Sequence, residues 1–132
     1  MELKKYFKEH EGLGILSTAD AKGRVNAAVY AHPHVIDKDR VAFIMADKLT
    51  RANIEKNPYA AYLFKEDGVG YKGVRLYLKK QAEYKDEDFV RQICNIAYPS
   101  EHCSMGGLKG AAILSFKVEK ILPLIGDGKK KD

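Results

Sequence analysis

The residues best suited to chemistry lie at Lys48-Leu-Thr-Arg51, between an apolar run and the start of a helical pattern. The free amides and dipole of a helix N-terminus suit a phosphate dianion. A lysine, a threonine hydroxyl and an arginine alongside would complete such a site. The bland alternative is a capped helix with exposed basic residues. His32 and His34 stand two apart in a strand-like stretch, so one face could offer both to a metal or to haem. Pro33 between them, and no obvious third ligand nearby, favour surface or interface histidines instead. Cys103 beside His102 suggests a zinc or thiol site, but Cys94 falls in a helical pattern and no Cys-x-x-Cys exists, so two ordinary thiols are expected. Gly68-Val-Gly-Tyr-Lys-Gly73 matches GxGxxG in letters only. That fingerprint needs a helix directly after it, and the run from Val74 alternates like a strand. Gly106-Gly-Leu-Lys-Gly110 fails for the same reason. No Ser-His-Asp arrangement can be inferred.

The elements that must position these groups are short. Leu3, Tyr6, Phe7 and His10 recur at helical spacing within Glu2 to Glu11. Gly12 and Gly14 end that helix, and Ile15 to Thr18 form a strand that turns at Asp20-Ala-Lys-Gly23. A return strand runs from about Arg24 to Val35, with Pro33 at an edge or bulge. Asp37 to Arg40 is a turn, and Val41 to Ala46 is apolar throughout, as in a strand buried on both faces. Thr50 is expected to cap a helix that reaches Asn57, with Pro58 just beyond. Tyr59 to Phe64 and Val74 to Tyr84 read as strands. Asp86-Glu-Asp88 opens a helix to about Ala97, with Phe89, Val90, Ile93 and Ile96 inward. Tyr98 to Gly110 is a loop, and Ala111 to Leu122 the last strand.

Length and composition bound the function. The chain has 132 residues, 45% hydrophobic and 31% charged, and its net charge is +5. This fits one domain over residues 1–126 followed by a basic tail over 127–132. No apolar run approaches the roughly 18 residues of a membrane-spanning helix, and two cysteines do not make a disulfide scaffold. The expected setting is the cytoplasm, with no membrane partner. Basic residues alternate with acidic ones near the amino terminus rather than forming the stripe of a polynucleotide binder. Six strands joined mostly by tight turns imply an antiparallel sheet. Several are apolar on both faces, which points to a mainly β (α+β) barrel with two or three short helices and a second copy covering its outside, a homodimer.

Several ordered pieces resemble the pyridoxamine 5′-phosphate oxidase-like family of FMN-binding split barrels. They are Gly14-Ile-Leu-Ser-Thr-Ala-Asp20, Gly23-Arg-Val-Asn-Ala-Ala28, Val41-Ala-Phe-Ile44, Thr50-Arg-Ala-Asn-Ile-Glu-Lys-Asn-Pro58 and Ala60-Ala-Tyr-Leu-Phe64. The resemblance implies a six-stranded antiparallel Greek-key split β-barrel that dimerises and binds FMN between subunits. By position it places Asn26, Ala27, Ala28 and Val29 along the flavin, Ile44 and Met45 beneath it, and Lys48, Leu49 and Thr50 at the phosphate. Arg75 falls where a polar side chain reaches the cofactor. Thr50 stands where many members carry lysine or arginine, so phosphate charge must come from Lys48, Arg51 or Arg75. The Arg-rich carboxy-terminal signature of true pyridoxamine phosphate oxidases is missing.

The resemblance therefore implies a flavin-dependent oxidoreductase passing electrons from a reduced nicotinamide to a small acceptor. Tyr30, His32 and His34 are the first candidates for moving a proton. The alternatives are a flavin-binding or electron-carrier protein without turnover, use of deazaflavin F420, or haem held through His32 or His34. A nucleic-acid-binding barrel is the rival from another class, with Tyr71, Lys72, Arg75, Tyr77 and Lys79 as its stacking and basic residues.

Overall fold

Strand after strand places an apolar side chain at every second position, so one face must be buried and each ladder has a single workable register. In the computed structural model, which describes residues 1–98 and 110–126, this pattern gives one antiparallel sheet and three helices. In chain order these are α1 (Leu3–Glu9), β1 (Gly12–Ala19), β2 (Val25–Val29), β3 (His34–Asp37) and β4 (Arg40–Met45). They continue with α2 (Leu49–Lys56), β5 (Tyr59–Glu66), β6 (Gly73–Tyr84), α3 (Glu87–Ala97) and β7 (Ala112–Pro123). The strand order is β2-β1-β5-β6-β7-β4-β3. The sheet curls into a split barrel without closing, and β2 and β3 form its two free edges. The tail over 127–132 lies outside the described residues.

The interior is filled from all sides. Leu16, Phe43, Tyr62, Leu76 and Phe116 come from five different strands, and Leu3, Phe7 and Ile54 of the first two helices pack onto them. Phe43 and Tyr62 lie 5.1 Å apart between ring centres, and Phe43 meets Phe116 edge-on at 6.0 Å. The apolar run of β4 is buried on both faces, as expected. Val41, Phe43 and Met45 enter the barrel, while Ala42 and Ile44 pack under α3 with Val90, Ile93 and Ile113.

Four expectations are refined. The single return strand is two, because pairing with β1 ends at Val29 and pairing with β4 begins at His34. The chain crosses the barrel split between them, which makes seven strands rather than six. Gly12 and Gly14 do not merely end α1; they belong to β1. Lys48, not Thr50, occupies the N-cap of α2, and no side chain caps it, because the Thr50 hydroxyl is turned toward β2. On α3 the buried stripe is Val90 and Cys94, one helical turn apart, while Ile96 is 66% exposed. Asp86 does cap α3, accepting from the amides of Asp88 at 2.9 Å and Phe89 at 3.4 Å.

Gly14 shows how tightly β1 packs. The Tyr62 hydroxyl, inside the barrel, donates to the Tyr30 carbonyl at 3.1 Å and passes directly over Gly14. A Cβ there would lie 1.9 Å from that hydroxyl and 2.4 Å from the carbonyl oxygen. Gly14→Ala should therefore lower stability by about 2–3 kcal/mol through overpacking. Tyr62→Phe, which removes only the hydrogen bond, should cost about 1 kcal/mol. Urea midpoints at unchanged slope test both, and equal midpoints for the wild type and Gly14→Ala would refute the steric account.

Candidate functional site

The split in the barrel is bridged by the first turns of α2. This helix has one apolar anchor, Ile54, and three buried polar residues, Thr50, Arg51 and Asn53. Each polar side chain finds a partner on the sheet. Thr18 and Asn26 face each other across β1 and β2. Thr50 and Asn53, one helical turn apart, meet this pair. Asn26 Nδ2 donates to Thr50 Oγ1 at 3.3 Å, and Asn53 Nδ2 donates to Thr18 Oγ1 at 3.1 Å. On the other side Arg51 Nη1 donates to the Gly110 carbonyl at 2.6 Å, just before β7, and Nη2 lies 3.4 Å from Glu83 Oε2 near the end of β6. α2 thus touches both halves of the split.

Electrostatics follow from that placement. The Glu83 carboxylate also meets Lys80 at 3.4 Å and Lys85 at 3.5 Å. Burial pushes its carboxyl up, but the Lys80 hydrogen bond and the charges of Lys80, Arg51 and Lys85 outweigh this and hold it below its ordinary value. One carboxylate among three cations leaves the region positive. Lys48 is exposed and has no partner among the described residues. Arg51 Nε is buried with no hydrogen-bond partner there. The first-turn amides of α2 are uncapped by any side chain. Burial pushes the Tyr30 phenol up, against a hydrogen bond from Thr50 that lowers it, so Tyr30 is a neutral donor at ordinary pH. The arrangement suits a phosphate-bearing ligand with a polar ring edge beside Asn26 and Tyr30.

The expected site residues divide accordingly. Asn26, Lys48, Leu49 and Thr50 come together around the start of α2, with Leu49 exposed, while Ala28 lies two residues along the same face of β2, half-buried. Ala27 and Val29 project from the opposite face of β2 and are exposed. Ile44 packs under α3, and Met45 is fully buried in the barrel, so neither side chain opens at the helix terminus. Arg75 lies eight residues from Glu83 on β6, about 26 Å along an extended strand. Its guanidinium bonds the carbonyls of Pro123 and Gly126 and the Tyr77 hydroxyl. One chain therefore does not bring Arg75 to Lys48.

His32 and His34 do not share a strand face. His32 lies in the crossing segment, and only His34 is in β3. The His32 ring sits 5.9 Å from Phe7 and 5.5 Å from Tyr98, whose hydroxyl donates to the His32 carbonyl at 2.5 Å. His10, His32 and His34 line a groove of about 480 Å³ with Lys4 and Lys8. Among the described residues no three histidine, cysteine or acidic side chains could hold a metal ion. Cys94 is disulfide-bonded rather than a free thiol. Cys103, with His102 beside it, lies outside the described residues. The glycines of 68–73 sit in a β5–β6 hairpin, not before a helix. No helix among the described residues is long and apolar enough to cross a membrane.

Residues 2–124 match the family described as Pyridoxamine 5′-phosphate oxidase. Solved structures share the fold. An FMN-binding protein from Syntrophomonas wolfei subsp. wolfei is 23% identical, with a TM-score of 0.70 over 91% of this chain and 82% of its own. HutZ, the haem storage protein of Vibrio cholerae, is 18% identical, with a TM-score of 0.71 over 93% and 95%. An F420 reductase is 16% identical, with a TM-score of 0.70 over 89% and 94%. No curated protein matches the chain in sequence. At these identities the structural likeness establishes the fold, and it spans three different cofactors.

The Arg51–Glu83 contact should be a measurable support of the site. Glu83→Gln leaves a buried guanidinium without its counter-charge and should cost on the order of 3–5 kcal/mol. Arg51→Met should cost less, because Lys80 and Lys85 still face Glu83. Because the folded Glu83 carboxyl is held below its ordinary 4.5, its contribution is present above that pH and lost as pH falls through the folded value. The stability gap between wild type and Glu83→Gln should therefore narrow on acidification below about pH 4.5. A gap that stays constant in urea titrations from pH 7 to 3 would refute the ion-pair account.

Proposed function

We propose, because the chain belongs to the pyridoxamine 5′-phosphate oxidase family, that it binds FMN at the start of α2 in a groove completed by a second copy of itself. The carrying observation is the uncapped N-terminus of α2, held in place by Thr50, Arg51 and Asn53 with Lys48 free beside it. These residues fit a terminal phosphate: amides and a lysine supply the donors, and the buried Arg51 and its lysine neighbours supply positive potential. Asn26 and Tyr30 would border the ring system, with the Tyr30 hydroxyl available to hold a proton at its edge. Bound FMN would supply the redox chemistry, taking electrons from a reduced nicotinamide and giving them to a small acceptor. The chain's part is to anchor the phosphate, orient the ring and limit access of water.

The outer face of the sheet supports the second copy. Val29, Ile15, Leu63, Arg75 and Leu122 form one cross-strand row, and Ala27, Ser17, Ala61, Tyr77 and Lys120 form the next. Val25 is 84% and Val29 72% exposed. An apolar row beside a row begun by small residues suits close packing of a second sheet. A dimer would also offer Arg75 of one copy to the phosphate site of the other, which a single chain cannot do. A nucleic acid would have to use the same face, where Tyr59 and Tyr77 are already covered in part by Lys79 and Lys120.

Purified protein mixed with FMN and passed through gel filtration should retain absorption near roughly 370 and 450 nm. Lys48→Ala should weaken FMN about tenfold, or about 1.4 kcal/mol. Failure to retain FMN would sink this reading. F420 retained on the same surface, or a Soret band on adding haem that His34→Ala removes, would replace it with one of those cofactors. Ala61→Arg should convert a particle of twice the chain mass, by light scattering, to one of a single chain mass and release FMN. A wild-type monomer that still binds FMN tightly would refute the shared groove.

A further inference from the structure

A second cavity lies on the far side of the sheet from α2, between α3 and the outer face of β3, β4, β6 and β7. Its volume is about 320 Å³. Its floor includes one cross-strand row: His34 pairs with Ala42, and Ala42 with Ser115. The small side chains of Ala42 and Ser115 leave the space. At one end α3 packs onto the sheet through Val90, which clusters with Ala42, Ala111 and Ile113, and the cavity lies beside that contact. Phe89 and Tyr84 meet edge-to-face at 5.6 Å as one wall.

Ser115 is the informative residue. It is only 5% exposed, and no group among the described residues hydrogen-bonds its hydroxyl. The hydroxyl is not sealed off, since Arg51 Nε is the one fully buried polar side-chain atom without a partner among the described residues, so it is open to the cavity and available to a ligand. The hydroxyl faces the cavity, which Ser115 lines. Among the described residues the lining carries no net charge: Arg40 is paired with Asp37 at 2.7 Å, and burial together with Lys4 holds the His34 imidazole below its ordinary value and hence neutral. The volume is about twice that of a cavity that admits one benzene ring.

We propose that this cavity is a second small-molecule site, separate from the α2 terminus, for a neutral one- or two-ring aromatic molecule whose single hydroxyl or carbonyl pairs with the Ser115 hydroxyl. The aromatic wall of Phe89 and Tyr84 stacks or edges against the rings. His34, at the end of the floor row, accepts or donates a second hydrogen bond. The site does not depend on which cofactor, if any, the α2 terminus holds.

The test uses the full chain with 2-naphthol and naphthalene as probes, each followed by equilibrium fluorescence titration. Wild type should bind one 2-naphthol per chain saturably, and naphthalene at least threefold more weakly. Ser115→Ala should weaken 2-naphthol about threefold and abolish its preference over naphthalene. Ser115→Val, which removes the hydroxyl and narrows the cavity, should weaken 2-naphthol more than Ser115→Ala does and weaken naphthalene as well. If Ser115→Val does not fold, the two-probe comparison on Ser115→Ala decides alone. No saturable binding to wild type, an unchanged preference in Ser115→Ala, or displacement of 2-naphthol by FMN would each overturn the proposal.

Discussion

The polar underside of α2 is the constraint on which the candidate site depends. A helix held by apolar contact alone can slide or rotate at little cost, since hydrophobic burial has no direction. Here only Ile54 is a conventional anchor, and Thr50, Arg51 and Asn53 are buried beside it. Each net hydrogen bond contributes about 1 kcal/mol, but an unpaired buried partner costs about 1–3 kcal/mol. Displacing α2 would orphan Asn26, Thr18 and the Gly110 carbonyl together and take Arg51 away from Glu83. The helix start is therefore fixed against both halves of the split, and its amides point to a defined place without help from a cap.

The split itself follows from the chain segment between β2 and β3. If β2 had continued through Pro33, its ladder would have had to dispense with the missing proline N–H. The chain instead leaves β1 at Val29, lays Tyr30 and His32 across the barrel mouth, and begins pairing with β4 at His34. Tyr62 fastens this crossing from inside by its bond to the Tyr30 carbonyl, and Phe7 and Tyr98 hold the His32 ring from α1 and the end of α3. Polar, positive surface collects at the α2 side of the seam, and a nearly uncharged, aromatic-walled cavity lies on the outer face under α3.

Much of the fold was legible in the chain because periodicity reports burial directly. Val74 to Tyr84 alternates and is β6; Val41 to Met45 is apolar throughout and is buried on both faces. The Asn57-Pro58 stop of α2 was also readable: the Asn57 side chain accepts from the Tyr59 amide at 3.2 Å and turns the chain into β5. The pairing of Thr18 and Asn26 with Asn53 and Thr50 was not readable. Such residues look like surface polar residues until the strands set Thr18 opposite Asn26 and α2 descends on both. Glu83 was missed for the same reason, since it sits among lysines on an alternating strand and its partner is 32 residues away. Thr50 was misplaced as a cap because its type fits that role, and only tertiary contact shows the hydroxyl engaged elsewhere.

Net charge is a poor guide to this site because most nearby positive groups are already paired. Arg51 and Lys80 surround one carboxylate, and Arg75 is tied to backbone carbonyls at the end of β7. Among the described residues, Lys48 alone is both free and adjacent to the uncapped amides. A phosphate at α2 would thus meet a strong local field but few mobile charges. The other large cation on an ordered face, Arg75, stands at the opposite end of a twelve-residue strand. Its own row begins with Val29 and Ile15, the exposed apolar end of the same face. If a second sheet covers that row, burial of apolar area and delivery of a second cation become one event. Dimerisation and phosphate affinity would then be linked, each strengthening the other by mass action.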